Sequence, residues 1–171
     1  MSDSKSVAKD NRSTMGEKME RHEIINKIES ILEDARTGIM ATSDLEGRVH
    51  LRWMTPAVLK YQPDAIYCFA VPGSEKLKHI NANNKVEWMI QTRDLREIVN
   101  IQGAVNIIDT PATKSELLEA LGARLATFWK VNVDAEEFVV LETKIHSATY
   151  YKPMKAIQEI VIFPEVQDSG T

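Results

Sequence analysis

Three polar residues in the middle of the chain have the chemistry of a phosphate site. Arg52 lies near the end of a stretch in which apolar and polar residues alternate, and Ser74 and Lys76 follow in the loop Gly73–Lys76. A phosphate is bound by cations, hydroxyl groups and free backbone amides, and these residues offer all three if Ser74 begins a helix. The competing interpretation is that both cations are solvated surface charges and that Ser74 is a turn residue, because short Ser-Lys loops are common in turns.

Other common kinds of site have little support in the sequence. It contains neither the G-x-G-x-x-G nor the P-loop pattern of nucleotide-binding proteins, and no G-x-S-x-G pattern of a serine nucleophile. The histidines show no metal-binding pair at i, i+4, so we predict no metal site. The single cysteine, Cys68, cannot form an intramolecular disulfide and lies in an apolar stretch typical of a structural thiol. The pattern therefore identifies no catalytic residue.

The composition is that of a globular protein of one domain. The chain has 171 residues, of which 43% are hydrophobic and 27% charged, and its formal net charge is −4. A mildly acidic chain has no general attraction for polyanions, so we expect no nucleic-acid partner. No apolar run approaches the roughly 20 residues that span a bilayer, and the N-terminus lacks the apolar segment of a signal peptide. We therefore expect a cytoplasmic protein without a membrane partner.

The chain is predicted to hold one domain between two flexible tails. The tails are residues 1–13 and 165–171, which have little to bury, and the domain is residues 14–164. Its first helix is predicted to begin at Thr14, where Glu17 completes a capping box. An apolar stripe at helical spacing then continues to Ala35.

Short strands follow this helix. After a turn at residues 43–47, the side chains of residues 49, 51 and 53 are expected on one face of a strand and those of residues 50, 52 and 54 on the other. Further strands are predicted at 65–71, 86–91, 99–107, 138–145 and 157–163, with a turn at 61–64. A short helix is predicted at 76–82 and a longer one at 113–129, the latter beginning with a capping box at 113 and 116. Because several strands follow one another without a helical crossover, we expect a mainly β fold, an antiparallel barrel with peripheral helices.

The order of these features is similar to that of a known family. The stretch Gly38–Met54 joins a strand of small residues, an acidic-Gly turn and a strand ending in Arg-x-Met, and Ile66–Ile80 joins an aromatic strand, a Ser-x-Lys loop and a helix. Asn83–Val86 and Ile101–Val105 match two later motifs. Together these stretches resemble the pyridoxamine 5'-phosphate oxidase-like proteins, the FMN-binding split-barrel family that includes a branch of general stress proteins.

The resemblance implies an antiparallel split β-barrel that forms a homodimer and binds FMN in two equivalent clefts at the interface. By position, Arg52 and Lys76 would hold the phosphate of FMN, and Ser74 would donate a hydrogen bond to it. An apolar face would mediate dimerisation, with Trp88, Trp129 and the pair Tyr150-Tyr151 as expected contributors.

The resemblance also assigns residues to the flavin ring. Trp53, Met54 and Thr55 would run beside the isoalloxazine, with Trp53 expected to be a core residue that contacts flavin through its backbone. Phe69 and Ala70 would line the same cleft. Two aromatic residues are candidates for covering the ring from the partner subunit or for ordinary packing, Trp129 and Tyr150.

The leading hypothesis from the sequence is an FMN-dependent oxidoreductase whose substrate is unassigned. Glu75 lies where the oxidases of the family often have a second cation, and their C-terminal Arg and His features for gripping pyridoxal phosphate are not apparent. We therefore do not predict pyridoxamine phosphate oxidation itself. The alternatives are a non-catalytic flavin-binding or stress-associated module, and a split barrel that binds a deazaflavin or haem.

Overall fold

Eight strands in one antiparallel sheet carry the fold, in a computed structural model that describes residues 18–132, 134 and 136–164. The helices of this part of the chain are α1 (Arg21–Ala35), α2 (Glu75–Ala82) and α3 (Pro111–Val131). Its strands are β1 (Gly38–Ser43), β2 (Val49–Met54), β3 (Ala57–Leu59), β4 (Gln62–Ala70), β5 (Lys85–Gln91), β6 (Ile98–Ile108), β7 (Val139–Lys152) and β8 (Ile157–Ile162). A 3₁₀ turn at Pro153–Lys155 joins β7 to β8.

The order of the strands requires the sheet to curl. The hydrogen-bonded order is β2-β1-β5-β6-β7-β4-β3, and β8 pairs with the C-terminal half of β7. The first and last strands of this path, β2 and β3, are separated in the chain by Thr55 and Pro56 alone. That connection spans at most about 10 Å, whereas seven flat strands would hold the outer two about 29 Å apart. The sheet therefore closes on itself as a half-barrel, which confirms the predicted split-barrel fold with peripheral helices.

Two apolar clusters fill the two sides of this sheet. In the first, α1 packs its buried stripe against the inner face of the half-barrel, where Trp88 is fully buried and donates a hydrogen bond from Nε1 to Thr143 Oγ1 at 3.1 Å. In the second, α3 packs Leu117, Leu121 and Phe128 against β3 and β4. The helices are thus held by burial of one face each, which is the main stabilising contribution for a helix in a small domain.

The predicted starts of the two longer helices differ from the observed ones. Helix α1 begins at Arg21. Glu20 and Glu23 form a capping box there, in which the side chain of each bonds to the backbone of the other. The capping box predicted at positions 14 and 17 lies outside the described residues. Helix α3 begins at Pro111, because proline is favoured in the first turn, where an N–H has no partner. The capping box predicted for α3 is therefore wrong, and the hydroxyl of Thr110 donates instead to that of Thr113 at 2.8 Å.

Two strand predictions also need correction. The chain turns at Lys60–Tyr61, and β4 starts at Gln62 rather than after residue 64, because Pro63 is tolerated beside the short edge strand β3. Strand β7 continues without a break to Lys152, well beyond the predicted end at 145. It can be this long because its first half pairs with β4 and its second half with β8, while β6 pairs along both.

Candidate cofactor cleft

A cleft of about 500 Å³ opens beside the Thr55–Pro56 connection, where the curled sheet fails to close. Its volume is within the range of small-molecule sites. Its walls come from the end of β2, the end of β4, the start of α2 and the end of α3. The lining residues are Thr37, Arg52, Trp53, Met54, Thr55, Phe69, Ala70, Val71, Glu75, Lys76, Phe128, Val131 and Asn132.

Two cations lie at one end of the cleft without a negative partner. Arg52 is on the inward-facing side of β2, where it donates from Nη1 to Thr42 Oγ1 at 2.8 Å, and Lys76 is in the first turn of α2. Neither has a carboxylate within 4 Å among the residues that the structure describes. Burial lowers the pKa of Lys76, and the nearby charge of Arg52 lowers it further. Burial likewise lowers the pKa of Arg52. Two half-buried positive charges that repel each other form a site for an anion.

The start of α2 adds hydrogen-bond donors beside these cations. Ser74 is the N-cap residue, its hydroxyl makes no capping bond to the helix, and it accepts a weak hydrogen bond from Lys76 Nζ at 3.4 Å. Gly73 precedes it with a φ of +72°, a left-handed conformation that suits glycine and turns the chain sharply out of β4. The first amides of a helix have no partner within the helix and favour an anion. The structure thus places Arg52, Ser74 and Lys76 close together, and a phosphate site formed by them stays a prediction.

Most of the remaining lining is apolar, although Thr37, Thr55, Glu75 and Asn132 also contribute to it. Met54 and Ala70 are buried, Phe69 is 3% exposed, and Phe128 lies against Phe69 with ring centroids 6.1 Å apart. At the rim, Val131 is 76% exposed. An apolar slot with cations at one end suits a ligand that combines a flat hydrophobic ring system with a negative tail.

A family model described as pyridoxamine 5'-phosphate oxidase matches residues 24–152, three quarters of the chain. The chain belongs to the pyridoxamine 5'-phosphate oxidase family. No curated protein matches the sequence.

Solved structures with the same fold include proteins described as binding FMN and haem. A protein from Clostridium acetobutylicum, related to general stress protein 26 and placed in the pyridoxinephosphate oxidase family, is 13% identical with a TM-score of 0.64, covering 82% of this chain and 94% of its own. An FMN-binding, pyridoxamine 5'-phosphate oxidase-related protein from Nostoc punctiforme is 13% identical with a TM-score of 0.57, covering 81% and 95%. A haem-binding protein from Mycobacterium smegmatis is 15% identical with a TM-score of 0.61, covering 81% and 57%. At these identities the likeness concerns the fold.

Most of the residues predicted for the family's flavin site come together in the cleft. Arg52, Trp53, Met54, Thr55, Phe69, Ala70 and Lys76 line it, and Ser74 lies beside Lys76. Trp53 lines the cleft but is 80% exposed, so the expectation of a core residue is wrong: no layer of the described chain covers the outer face of the edge strand β2.

Two aromatic residues are not brought to this cleft. The Trp129 ring packs against Phe128 and Phe138, with centroids 4.9 and 6.1 Å away. Tyr150 is 4% exposed and donates to Glu97 Oε1 at 2.5 Å on the side of the sheet that α1 covers. Any contact of Trp129 with a flavin held by a partner subunit stays a prediction.

The sequence analysis missed the residues that α3 brings to the cleft. Phe128, Val131 and Asn132 are spaced i, i+3 and i+4, so they share one face of the end of the helix. That spacing was available in the sequence, but the sheet residues that this face meets are more than fifty positions away, and only the fold brings them together. The amide of Asn132 holds the helix end by donating to the Phe128 carbonyl at 2.8 Å.

Other chemistry has little support in the described residues. No cluster of three or more His, Cys, Asp or Glu side chains able to hold a metal ion occurs among them. Burial raises the pKa of the Cys68 thiol to about 12, so it stays protonated at neutral pH. None of the helices in the described part of the chain is long and apolar enough to cross a membrane.

Proposed function

We propose that the cleft binds FMN and that the protein is an FMN-dependent oxidoreductase, active as a homodimer. The observation that carries the proposal is the pair of unneutralised cations, Arg52 and Lys76, at one end of an apolar cleft. FMN combines a doubly charged phosphate with a flat ring system, so its two parts match the two parts of the cleft. The FMN-binding relative from Nostoc punctiforme, which has the same fold, supports the choice.

Each wall of the cleft has a role in this proposal. Arg52 and Lys76 bind the phosphate by charge-assisted hydrogen bonds, and Ser74 donates a further one. The backbone of Met54 and Thr55 faces the polar edge of the ring, while Phe69 and Ala70 pack beside it. Bound FMN supplies the redox chemistry, and the chain orients it and excludes water. No side chain is proposed to act as an acid or base, and the substrate class stays open.

The homodimer follows from the exposed side of the sheet. On β2 the outward side chains Val49 and Leu51 are both 68% exposed, and Trp53 continues this row to the rim of the cleft. Ile160 and Ile162 on β8 add apolar surface on the same face of the sheet, because β2, β1, β5, β6, β7 and β8 pair in register. These apolar side chains lie at the two edges of the face, with Glu87, Gln102 and Ser147 between them, and exposed apolar surface of this kind favours association. A second copy on this face would cover the open side of the cleft.

The test is a titration of the purified protein with FMN and with riboflavin, followed by flavin fluorescence and absorbance. We expect saturation at one FMN per chain and weaker binding of riboflavin, which lacks the phosphate. Lys76→Met should weaken FMN binding by roughly 1.5–3 kcal/mol, which is about 10- to 150-fold. The matched control is Lys78→Met on the same helix, because Lys78 is exposed and paired with Glu75 at 2.5 Å.

Other cofactors give distinguishable results in the same experiment. A haem protein would purify with an intense band near ~400 nm, but no histidine is among the described residues that line the cleft. A deazaflavin would bind in place of FMN and absorb at shorter wavelength. Absence of turnover with reduced nicotinamide and electron acceptors would favour the non-catalytic flavin-binding module. Saturation by neither flavin would overturn the proposal. The cytoplasmic location stays a prediction from the sequence.

A further inference from the structure

A short series of hydrogen bonds joins Arg52 to two residues that do not line the cleft, Thr42 and His79. Thr42 on β1 is 2% exposed, and its hydroxyl is 2.8 Å from Arg52 Nη1 and 3.0 Å from Nδ1 of His79 on α2. The imidazole of His79 is itself 9% exposed. It does not line the cleft, so it cannot contact a ligand there directly. His79 can act on the cleft through Thr42 and Arg52, or through its own helix α2, which carries Glu75 and Lys76.

The donors and acceptors of this series of hydrogen bonds favour one tautomer of His79. A guanidinium can only donate, so the Thr42 oxygen accepts from Arg52 and the Thr42 proton is available to another acceptor. Nδ1 of His79 is 3.0 Å away, and it accepts this proton when the neutral ring carries its own proton on Nε2. In that tautomer each member of the series has a partner. With a proton on Nδ1, the Thr42 oxygen would accept from both Arg52 and His79, and the Thr42 proton would need an acceptor outside the series.

A second histidine holds the imidazole of His79 in place. The ring of His50 lies against it, with centroids 4.5 Å apart and planes tilted by 36°. His50 Nε2 is in turn 3.0 Å from Asp44 Oδ2, in the hairpin between β1 and β2. His79 is also one helical turn from Lys76 on α2. The hydrogen bond between Thr42 and His79 thus joins α2 to β1. It therefore helps to fix the position of Lys76, on α2, relative to that of Arg52, which bonds to Thr42.

We propose that Thr42 and His79 are positioning residues: through the bond series His79–Thr42–Arg52 they hold the guanidinium in the orientation that receives the ligand's phosphate. The inference rests on the proposed binding of FMN by this cleft. Without the acceptor at His79, the Thr42 hydroxyl is free to rotate, so its lone pair is no longer held towards Arg52 and the guanidinium loses its fixed orientation. The consequence is confined to the phosphate, because neither residue faces the apolar part of the cleft.

The test measures the ratio of the riboflavin and FMN dissociation constants, which reports recognition of the phosphate alone. Thr42→Val and His79→Leu should each lower this ratio about tenfold, mainly through weaker FMN binding. Thr42→Ser keeps the hydroxyl, and His79→Asn places an amide oxygen near the position of Nδ1, so both should keep the ratio within about threefold of wild type. The matched control is Thr143→Val, which removes the hydroxyl of a fully buried threonine that does not line the cleft.

Four outcomes decide the matter. A lowered ratio in Thr42→Val and His79→Leu, rescued by the conservative variants and absent in Thr143→Val, supports the inference. If the wild-type protein prefers FMN over riboflavin and both Thr42→Val and His79→Leu keep this ratio unchanged, the inference is overturned and the proposed function stands. A wild-type protein that binds neither flavin overturns both. Nitrogen NMR of the FMN complex is an independent test, because it shows which ring nitrogen of His79 carries the proton. A proton on Nδ1 would also overturn the inference. That spectrum needs no variant, so it decides the question even if a buried substitution prevents folding.

Discussion

At Lys76 the requirements of stability and of ligand binding oppose each other. Its ammonium is half-buried beside Arg52, and both burial and that neighbour lower its pKa. The empty protein therefore bears a charge that is better solvated in the unfolded chain. A phosphate reverses the balance, because it neutralises both cations. Residues that weaken the free protein in this way are expected at binding sites rather than in the core.

We predict that Lys76→Met stabilises the cofactor-free protein at pH 7 while weakening FMN binding. The folded-state pKa of Lys76 lies below its ordinary value of 10.5, so the unfolded chain binds more protons between the two values and stability rises with pH there. The variant should raise the thermal midpoint by about 2 °C, the equivalent of under 1 kcal/mol. This gain should shrink as the pH rises towards 10.5 and the wild-type amine becomes neutral. Scanning calorimetry at several pH values measures it.

Lys78→Met on the exposed side of α2 is the control for this comparison. Its surface ion pair with Glu75 contributes little, so its thermal midpoint should stay close to that of wild type. A Lys76→Met protein less stable than both would show that Lys76 stabilises the fold, contrary to the prediction.

Individual residues of the cleft were predictable where strand alternation or a local motif determines their position. The alternation in β2 correctly directs Arg52 and Met54 inwards, and the Ser-x-Lys loop correctly starts a helix. Thr42 and His79 could not be found in this way, because their role depends on a contact between β1 and α2 that no local pattern encodes.

At the scale of the elements, the pairing of β6 with β7 depends on a glycine. A Cβ at Gly103 would lie 2.3 Å from the Lys144 carbonyl oxygen and 2.9 Å from Thr143 Cγ2, at the point where the register of the two strands shifts. The two strands approach too closely there for any other residue. The irregularity lies between the part of β7 that pairs with β4 and the part that pairs with β8, and a bulge at such a point increases the local bend and twist of a sheet.

We predict that Gly103→Ala lowers the free energy of unfolding by about 3 kcal/mol or prevents folding, since the obstacle is backbone and cannot rotate away. Gly122→Ala is the control: a Cβ there has no neighbour within 4 Å, and alanine favours a helix, so α3 should gain about 0.5–1 kcal/mol. Chemical denaturation of both variants measures the difference. Equal stabilities would contradict the packing at the bulge.

The existence and order of the elements were predictable, but several boundaries were not. Alternating and helical periods correctly indicated all three helices and the described strands other than β3, because burial of one face gives most elements their period. The three-residue strand β3 was not predicted. Turn residues proved weaker guides. Pro63 suggested a loop, yet it stands inside β4 because its strand neighbour β3 is short. The length of β7 depends on β8 and β4 together, and neither is visible from its own sequence.

At the scale of the whole molecule, we predict a homodimer that forms through the outer face of β2 and depends on Leu51 and Trp53. Leu51→Glu with Trp53→Glu places two charges on this face, and repulsion and desolvation between copies should give a monomer of 19.3 kDa. Sedimentation velocity measures the mass. FMN binding should weaken in the same variant, because the cleft loses the cover that a second copy supplies.

A control separates the interface from the general effect of added charge. Lys155→Glu lies on the exposed 3₁₀ turn between β7 and β8 and should leave the dimer intact. A wild-type protein that sediments as a monomer at micromolar concentration would contradict the dimer prediction directly.

Two of the side chains expected on a dimer face are not on the surface. Of Trp88, Trp129 and the pair Tyr150-Tyr151, the structure buries Trp88 at 0% and Tyr150 at 4% exposure. Large aromatic residues in alternating strands are equally compatible with either side of a sheet. The side is decided by where α1 packs, and that is a property of the assembled fold.

The placement of α3 divides the cleft between two parts of the chain. The chain leaves the sheet after Ile108 and returns at Val139, and Ile108 pairs directly with Val140. Helix α3 therefore lies in the connection between two neighbouring strands, β6 and β7. One wall of the cleft lies at the end of this helix, whereas both cations lie in residues 52–76. Under the proposed function, evolution can therefore change the wall formed by α3 without disturbing the segment proposed to anchor the ligand, so that one scaffold acquires new specificities through the residues between β6 and β7.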